Sequence, residues 1–561
     1  MPDIAITRHF VTVGRRQVHY RRAGSGPPVV LLHMSPNWSK SLDPFTSAYA
    51  EADFTAIALD TPGYGMSDLL PIQQPEIGDF ADALRETLDA LGIEQCGLFG
   101  SHTGATISME FIRRYPTRVT ACVFDGYPGY TDDYRADMLK HYLPPMEPKW
   151  DGAHLVTTWH KFREQFLFSP LFRPNRANRT NAAPPSPEFV QDNILPRLMT
   201  GENYNVGYSA VFRYRGIEPI AELRVPTCFA ARHGDSLMKS FNLFTNLPKN
   251  CWTQKMPRDL TAAAKKYARI LKPFPAKVPA SPAPRPSTIP GKLTGDFLSL
   301  PFGQVMVRRA GGSTGVPLVV LPTMPGSGDL HEKELLALGR RRPVIAIDLP
   351  GCGDSDGLAE APSVAALASA LEQIFAALSI KRADLMAWNG AALVAAEFVK
   401  KTPERVRKLV LFAPMFLPTA TRLALGPAYA EPIVPRWDGG HLLQLWFALR
   451  NEQLFWPWYN ESVETIRDIE PRIEPRHLMR RLVAVLKQYR NYAPVYQALF
   501  GYAIECTLPA IKTPTLVTSA EHDVFDRFAR SAARQIPGAL FSGGDGSTAS
   551  LVASVERFLT R

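Results

Sequence analysis

Residues 99–104 read Phe-Gly-Ser-His-Thr-Gly, which places a histidine between two hydroxyl residues and, one step further out, two glycines. The stretch joins an apolar run, CGLFG (96–100), to a segment of helical spacing, ATISMEFIRRYP (105–116), that stops at Pro116. An imidazole exposed at such a junction can take a proton from water or from a substrate carbon or hydroxyl at neutral pH. It can also attack a carbonyl directly and form an acyl-imidazole. Two other readings stand beside His102 as base or nucleophile. Ser101 is one place early, where a sharp turn directs a side chain against the sheet or a neighbouring helix. His102 can also be a purely structural histidine. Far along the chain a similar junction reads Ala-Trp-Asn-Gly-Ala (387–391), with Asn389 at its centre. An amide is neither a base nor a good nucleophile.

The elements that must position these residues occur twice. Arg21-Arg22-Ala23-Gly24 returns as Arg308-Arg309-Ala310-Gly311, ALDTPGYGMSD (58–68) as AIDLPGCGDSD (346–356), WDGAHL (150–155) as WDGGHL (437–442), and YSAVFRY (208–214) as YQALFGY (496–502). The offset stays near 287–289 residues, so the chain is an internal duplication of colinear halves. Between them KPFPAKVPASPAPRPSTIPGK (272–292) is rich in Pro and Ala and reads as a semi-rigid linker. The expected domains are therefore 1–271 and 293–561. In the first, PPVVLLH, FTAIALD, CGLFG, VTACVFDG and VPTCFAA are apolar strands separated by turns and helices. That pattern predicts an α/β domain whose mostly parallel sheet is covered by helices on both faces. Aromatic, Pro-punctuated helical stretches near 130–222 and 417–509 break the rhythm and are expected to be caps over the carboxyl edges of the sheets.

Bulk properties narrow the class. The 561 residues exceed one ordinary core, and 45% hydrophobic with 21% charged residues suits a soluble globular chain. Six scattered cysteines without C-x-x-C spacing suit a reduced, cytoplasmic setting with no zinc site. No apolar run approaches the ~20 residues of a membrane span, and MPDIAITRHF lacks a signal-peptide layout. The net charge of +10 is spread along the chain, and Arg340-Arg341-Arg342 reads as a solvated face rather than a nucleic-acid contact.

These features, taken in order and found twice, resemble the α/β-hydrolase superfamily. The resemblance rests on HMSP (33–36), the D-x-P-G-x-G-x-S-D turns (60–68 and 348–356), the junctions at 100–104 and 387–391, and an acid after a late strand. It implies two tandem α/β-hydrolase-fold domains with helical caps. WDGxHL together with G-x-H-T-G is also similar to a bacterial subgroup known only as hydrolase-like. The superfamily's chemistry uses a nucleophile at a strained strand-to-helix elbow, a histidine that takes its proton, and an acid that orients the histidine. The resemblance puts His102 at the elbow and Asp235, in RHGDS, at the acid position, with Asp125 as an alternative acid. The stretch near 255–259, where the histidine would fall, reads Lys-Met-Pro-Arg-Asp. The second half keeps the acid as Asp523, replaces the elbow residue by Asn389, exchanges both flanking glycines for alanine, and lacks histidine in SGGDGST (542–548). It is expected to be structural or ligand-binding.

Imidazole reaches further than a serine hydroxyl, so His102 can bond Asp235 directly. The helix N-terminus behind it favours the neutral ring, and the balance predicts a mostly neutral His102 near pH 7. Backbone N–H groups at Thr103 and near Met34 are candidate oxyanion donors. His33 is expected to shape its turn. Asp151 is placed to cap a helix with His154 one turn in; His154 alternatively lines the pocket roof. Tyr208, like Trp159, is read first as cap packing and second as a ligand contact. The resulting expectation is an enzyme hydrolysing an ester, lactone or activated acyl bond, or performing a related lyase step, on a small organic molecule. A non-catalytic small-molecule-binding pseudo-hydrolase is the alternative. No cofactor, metal, nucleic acid or membrane is implied, and contact between the two domains is expected.

Overall fold

The computed structural model describes residues 4–244 and 246–561. Two compact units emerge, one comprising the chain up to Pro148 with Thr157–Ser287, the other Lys149–Val156 with Thr288–Arg561. The first contains eight strands: β1 (Thr7–Val13), β2 (Arg16–Ala23), β3 (Pro28–Leu32), β4 (Thr55–Leu59), β5 (Cys96–Ser101), β6 (Val119–Asp125), β7 (Thr227–Arg232) and β8 (Cys251–Met256). They form one sheet in the order β1-β2-β4-β3-β5-β6-β7-β8. β1 pairs antiparallel with β2, and β2 antiparallel with β4; every later pairing is parallel.

The continuous apolar strands follow from burial on both faces. Along β3, Val30 and Leu32 pack on one side with the helices Ile77–Ala90 and Thr103–Arg114, while Val29 and Leu31 pack on the other with Asp43–Glu51 and Leu260–Leu271. Alternate residues face opposite sides of a strand, so a sheet covered twice needs apolar residues at every position. The apolar-run reading passes over β1 and β2, because their outer positions carry Arg8, Arg16, Arg21 and Arg22 among buried neighbours. β1 is an edge strand, where such charges are tolerated, and on β2 Arg21 pairs with Asp43. Between β6 and β7 the chain inserts four helices, Asp132–His141, Ala153–Glu164, Pro187–Thr200 and Tyr204–Arg213.

The second unit repeats the plan with β9 (Thr294–Leu300), β10 (Gly303–Ala310), β11 (Leu318–Leu321), β12 (Val344–Ile347), β13 (Ala383–Trp388), β14 (Val406–Phe412), β15 (Thr515–Ala520) and β16 (Leu540–Gly544). Its strand order is the same, β9-β10-β12-β11-β13-β14-β15-β16. Four helices between β14 and β15 occupy the corresponding insertion. The Pro/Ala-rich segment is held to the first unit: Ala280 N–H donates to Gly26 O at 3.1 Å, Arg22 donates to Ser281 O at 2.6 Å, and Thr12 Oγ1 donates to Ser287 O at 2.9 Å. The division between units falls after Ser287, inside that segment.

Candidate functional site

β5 ends at Ser101 and the next helix begins at Thr103, so the chain reverses at a single residue. That residue is His102, with φ 50° and ψ −105°. A non-glycine residue at such angles costs roughly 1–3 kcal/mol and persists only where the surroundings impose it. The imposition is visible in the flanking glycines. A Cβ on Gly100 would stand 2.4 Å from Gly104 O, and one on Gly104 would stand 2.2 Å from Leu32 O. Strand, helix and neighbouring strand meet too closely there for any side chain.

The strained turn presents the imidazole to a carboxylate. His102 Nε2 lies 2.9 Å from Asp235 Oδ2, with 29% of the histidine side chain and 7% of the aspartate side chain exposed. Asp235 follows β7, and its other oxygen accepts the Leu237 N–H at 2.8 Å. Among the described residues nothing bonds His102 Nδ1. In the neutral ring the proton therefore sits on Nε2 against Asp235, and Nδ1 carries the free lone pair.

Burial depresses the His102 pKa, but the charge and hydrogen bond of Asp235, with a further contribution from Asp125, outweigh it and leave the pKa above 6.5. The carboxylates thus act against the helix N-terminus, which favours the neutral ring. Burial would raise the Asp235 pKa, yet His102 and the Leu237 N–H hold its carboxyl well below the usual carboxylate range.

Asp125 forms the next layer. It is fully buried and accepts from Tyr267 Oη at 2.6 Å, Ser101 Oγ at 3.2 Å and Arg232 Nε at 3.4 Å. Ser101 thus donates inward to Asp125. Gly126, at φ 74°, lies against the pair: a Cβ there would come within 2.8 Å of His102 Nε2 and 3.2 Å of Asp235 Oδ2. Arg232, Tyr267 and Gly126 were not singled out in the sequence. Arg232 lies three residues before Asp235 and Gly126 directly after the strand ending in Asp125; these adjacencies were the available signal.

The HMSP turn sits beside the elbow. His33 is fully buried, donates from Nδ1 to Met34 O at 2.9 Å and accepts the Thr61 N–H on Nε2 at 3.0 Å. Both ring nitrogens are occupied, and burial lowers its pKa. Thr103 Oγ1 accepts the Ser35 N–H at 3.1 Å, which ties this turn to the elbow helix. As the first helical residue, Thr103 has no intrahelical acceptor for its own N–H.

The inserted helices bring further groups. Tyr208 packs on Tyr142 and Phe212, with ring centroids 5.9 and 5.5 Å apart. Lys161 Nζ donates to Tyr204 Oη at 2.7 Å and to Tyr142 O at 2.6 Å, and burial brings its pKa down to about 7. Trp159 is fully buried. Asp151 and His154 lie in Lys149–Val156, part of the second unit. Asp151 Oδ1 accepts the Ala153 N–H at 3.0 Å, and His154 Nδ1 accepts the Lys149 N–H at 3.1 Å.

In the second unit an amide, Asn389, takes the place of the imidazole at the elbow. Asn389 keeps a φ of 45° despite the flanking alanines, but the helix starts two residues later, at Ala391. The Asn389 amide donates to Ala413 O at 3.0 Å and accepts from Thr323 Oγ1 at 3.1 Å. Over it lies a cavity of about 1190 Å³ that reaches Asp523, Trp388 and the inserted helices. Asp523 accepts the Phe525 N–H at 2.8 Å, and burial raises its pKa. Among the described residues, no cluster of three or more His, Cys, Asp or Glu side chains could hold a metal, and no helix is long and apolar enough to cross a membrane.

Comparison with known proteins agrees with this architecture. A 2-hydroxy-6-oxo-6-phenylhexa-2,4-dienoate hydrolase of Comamonas testosteroni is 29% identical over 128 residues, 22% of this chain and 43% of that protein. A 2-hydroxy-6-oxononadienedioate/2-hydroxy-6-oxononatrienedioate hydrolase of Paraburkholderia phymatum is 34% identical over 118 residues, 20% of this chain and 40% of that protein. The chain therefore spans less than half the length of these relatives. The solved enol-lactonase of Burkholderia xenovorans LB400 aligns with 47% of this chain and 100% of its own at 19% identity, with a TM-score of 0.37. A family model for the alpha/beta hydrolase fold matches residues 27–240 and again 316–437, and the chain belongs to that family as a tandem of two such domains.

Proposed function

We propose that the first unit is a cofactor-independent hydrolase whose reactive group is His102. The observation that carries this reading is the 2.9 Å contact between Asp235 and an imidazole held at a strained elbow, with Nδ1 left without a partner. With Nε2–H on Asp235, Nδ1 takes a proton from water, and the resulting hydroxide adds to the substrate carbonyl. Attack by Nδ1 itself, followed by hydrolysis of the acyl-imidazole, uses the same lone pair. The Thr103 N–H and the turn at Met34 are the proposed donors to the developing oxyanion. The Asp235 carboxylate stabilises the imidazolium, which then returns its proton to the leaving group.

The substrate class is a small organic ester, lactone or activated acyl compound. The aromatic insert, including Tyr208, supports an apolar substrate body, and the matched relatives bear the names of hydrolases of small unsaturated organic acids. The test is turnover of aryl acetates, dihydrocoumarin and enol lactones by the full chain and by His102→Ala. Loss of ~10²–10⁴-fold in kcat/KM supports the reading, on the usual scale of a positioned base. Unchanged turnover removes it.

The binding alternative has its own support, in the second unit. There a cavity is retained above an elbow without a base, with Asn389 held by Thr323 and Ala413. The two readings apply to different units.

A further inference from the structure

We infer that the second unit's cavity is a receptor site for an organic cation with an aromatic or apolar body, an amine or quaternary ammonium compound. The inference does not rest on His102 being catalytic. Three observations lead to it. First, the walls are aromatic: eight of the lining residues are Trp, Tyr or Phe, among them Trp388, Trp456, Tyr429 and Tyr496. A cation over such ring faces is attracted by their quadrupoles, more so when desolvated.

Second, the lining is acidic. It carries eight carboxylates and three arginines. Arg481 is already paired with Glu452, and Arg467 donates to the Glu452 carbonyl. Asp468, Glu470, Glu521 and Asp545 are exposed toward solvent. His331 stacks on Trp388 with ring centroids 4.4 Å apart, and burial brings its pKa down to about 4, so it adds no positive charge at neutral pH. A cleft whose lining carries an excess of one sign draws in the opposite sign.

Third, the duplication shows which contact is missing, although the charge of Arg467 already bears on Asp523. In the first unit Asp235 faces the His102 imidazole at 2.9 Å. Asp523 is the corresponding carboxylate, 288 positions later, and the residue corresponding to His102 is the neutral Asn389. One Asp523 oxygen takes the Phe525 N–H. Among the described residues no protein donor bonds the other, and Asp523 lines the cavity. A ligand ammonium bound there would occupy the role that the imidazole has in the first unit, and would favour the ionised carboxylate.

The experiment titrates the full chain with benzyltrimethylammonium, benzyl alcohol and benzoate, following tryptophan fluorescence and calorimetric heat. The cation should bind saturably, at least about tenfold more tightly than the alcohol, with benzoate weakest. Asp523→Asn should weaken the cation by about tenfold and leave the alcohol unaffected. Equal or tighter binding of benzoate, unchanged cation affinity in Asp523→Asn, or no saturable binding of the cation would each overturn the inference. The selectivity series uses the unaltered chain, so the test holds even if the variant folds poorly. Activity of the first unit plays no part in the readout.

Discussion

At the scale of single residues, the site depends on how closely three groups meet: the His102 ring, the Asp235 carboxylate and the empty space at Gly126. A methyl group at Gly126 would enter within 2.8 Å of the ring, and the backbone there is at φ 74°, which alone costs an alanine roughly 1 kcal/mol. Gly126→Ala should therefore lower kcat/KM by at least about tenfold while Tm falls by only a few degrees. Parallel kinetics and thermal melts check this. A loss confined to stability would show that the glycine serves the fold alone. The sequence made His102 and Asp235 legible because each sits at a turn the repeat marks twice. It did not reveal Gly126, Arg232 or Tyr267, whose roles arise from side chains meeting across β5, β6, β7 and the helix Leu260–Leu271. The contribution of Asp235 to the His102 pKa follows from their pairing; the further one from Asp125 was not legible.

At the scale of elements, the elbow is a packing problem solved differently in the two units. In the first, the helix starts directly after His102 and comes within van der Waals contact of β3, with Leu32 O where a Gly104 Cβ would lie. Gly104→Ala must push helix and strand apart, at about 1–3 kcal/mol, the usual range for overpacking a core. Urea unfolding should show that loss, and an unchanged midpoint would mean the helix can slide freely. In the second, Ala391 is fully buried and the helix begins two residues after Asn389. The strands from β3 to β7 could be read from their apolar runs, since burial on both faces leaves that pattern. β1 and β2 could not, because both mix arginines with buried residues. The cavity of the second unit was equally hidden, being assembled from residues 323 to 551.

For the whole molecule, the duplication has given the two units different residues at the same elbow. One unit keeps an imidazole–carboxylate pair at its elbow. The other keeps the elbow's backbone and a roomy cavity but holds the central amide in internal hydrogen bonds. If chemistry belongs to the first unit, Asn389→Ala should leave kcat/KM for the preferred ester within about twofold and lower stability by about 1 kcal/mol, the worth of its hydrogen bonds. A large fall in turnover with intact folding would move the reaction to the second unit. The central claim is that His102 is the base and Asp235 sets its pKa. The most direct test is the pH dependence of kcat/KM in the full chain. The free base exists only above the His102 pKa, which is raised above 6.5. Activity should therefore rise with pH along an acid limb whose midpoint lies above 6.5. Asp235→Asn removes the first of the carboxylate contributions that outweigh burial, so its limb should move downward, with a lower plateau. A limb that stays in place in Asp235→Asn, or that persists in His102→Ala, would contradict the account.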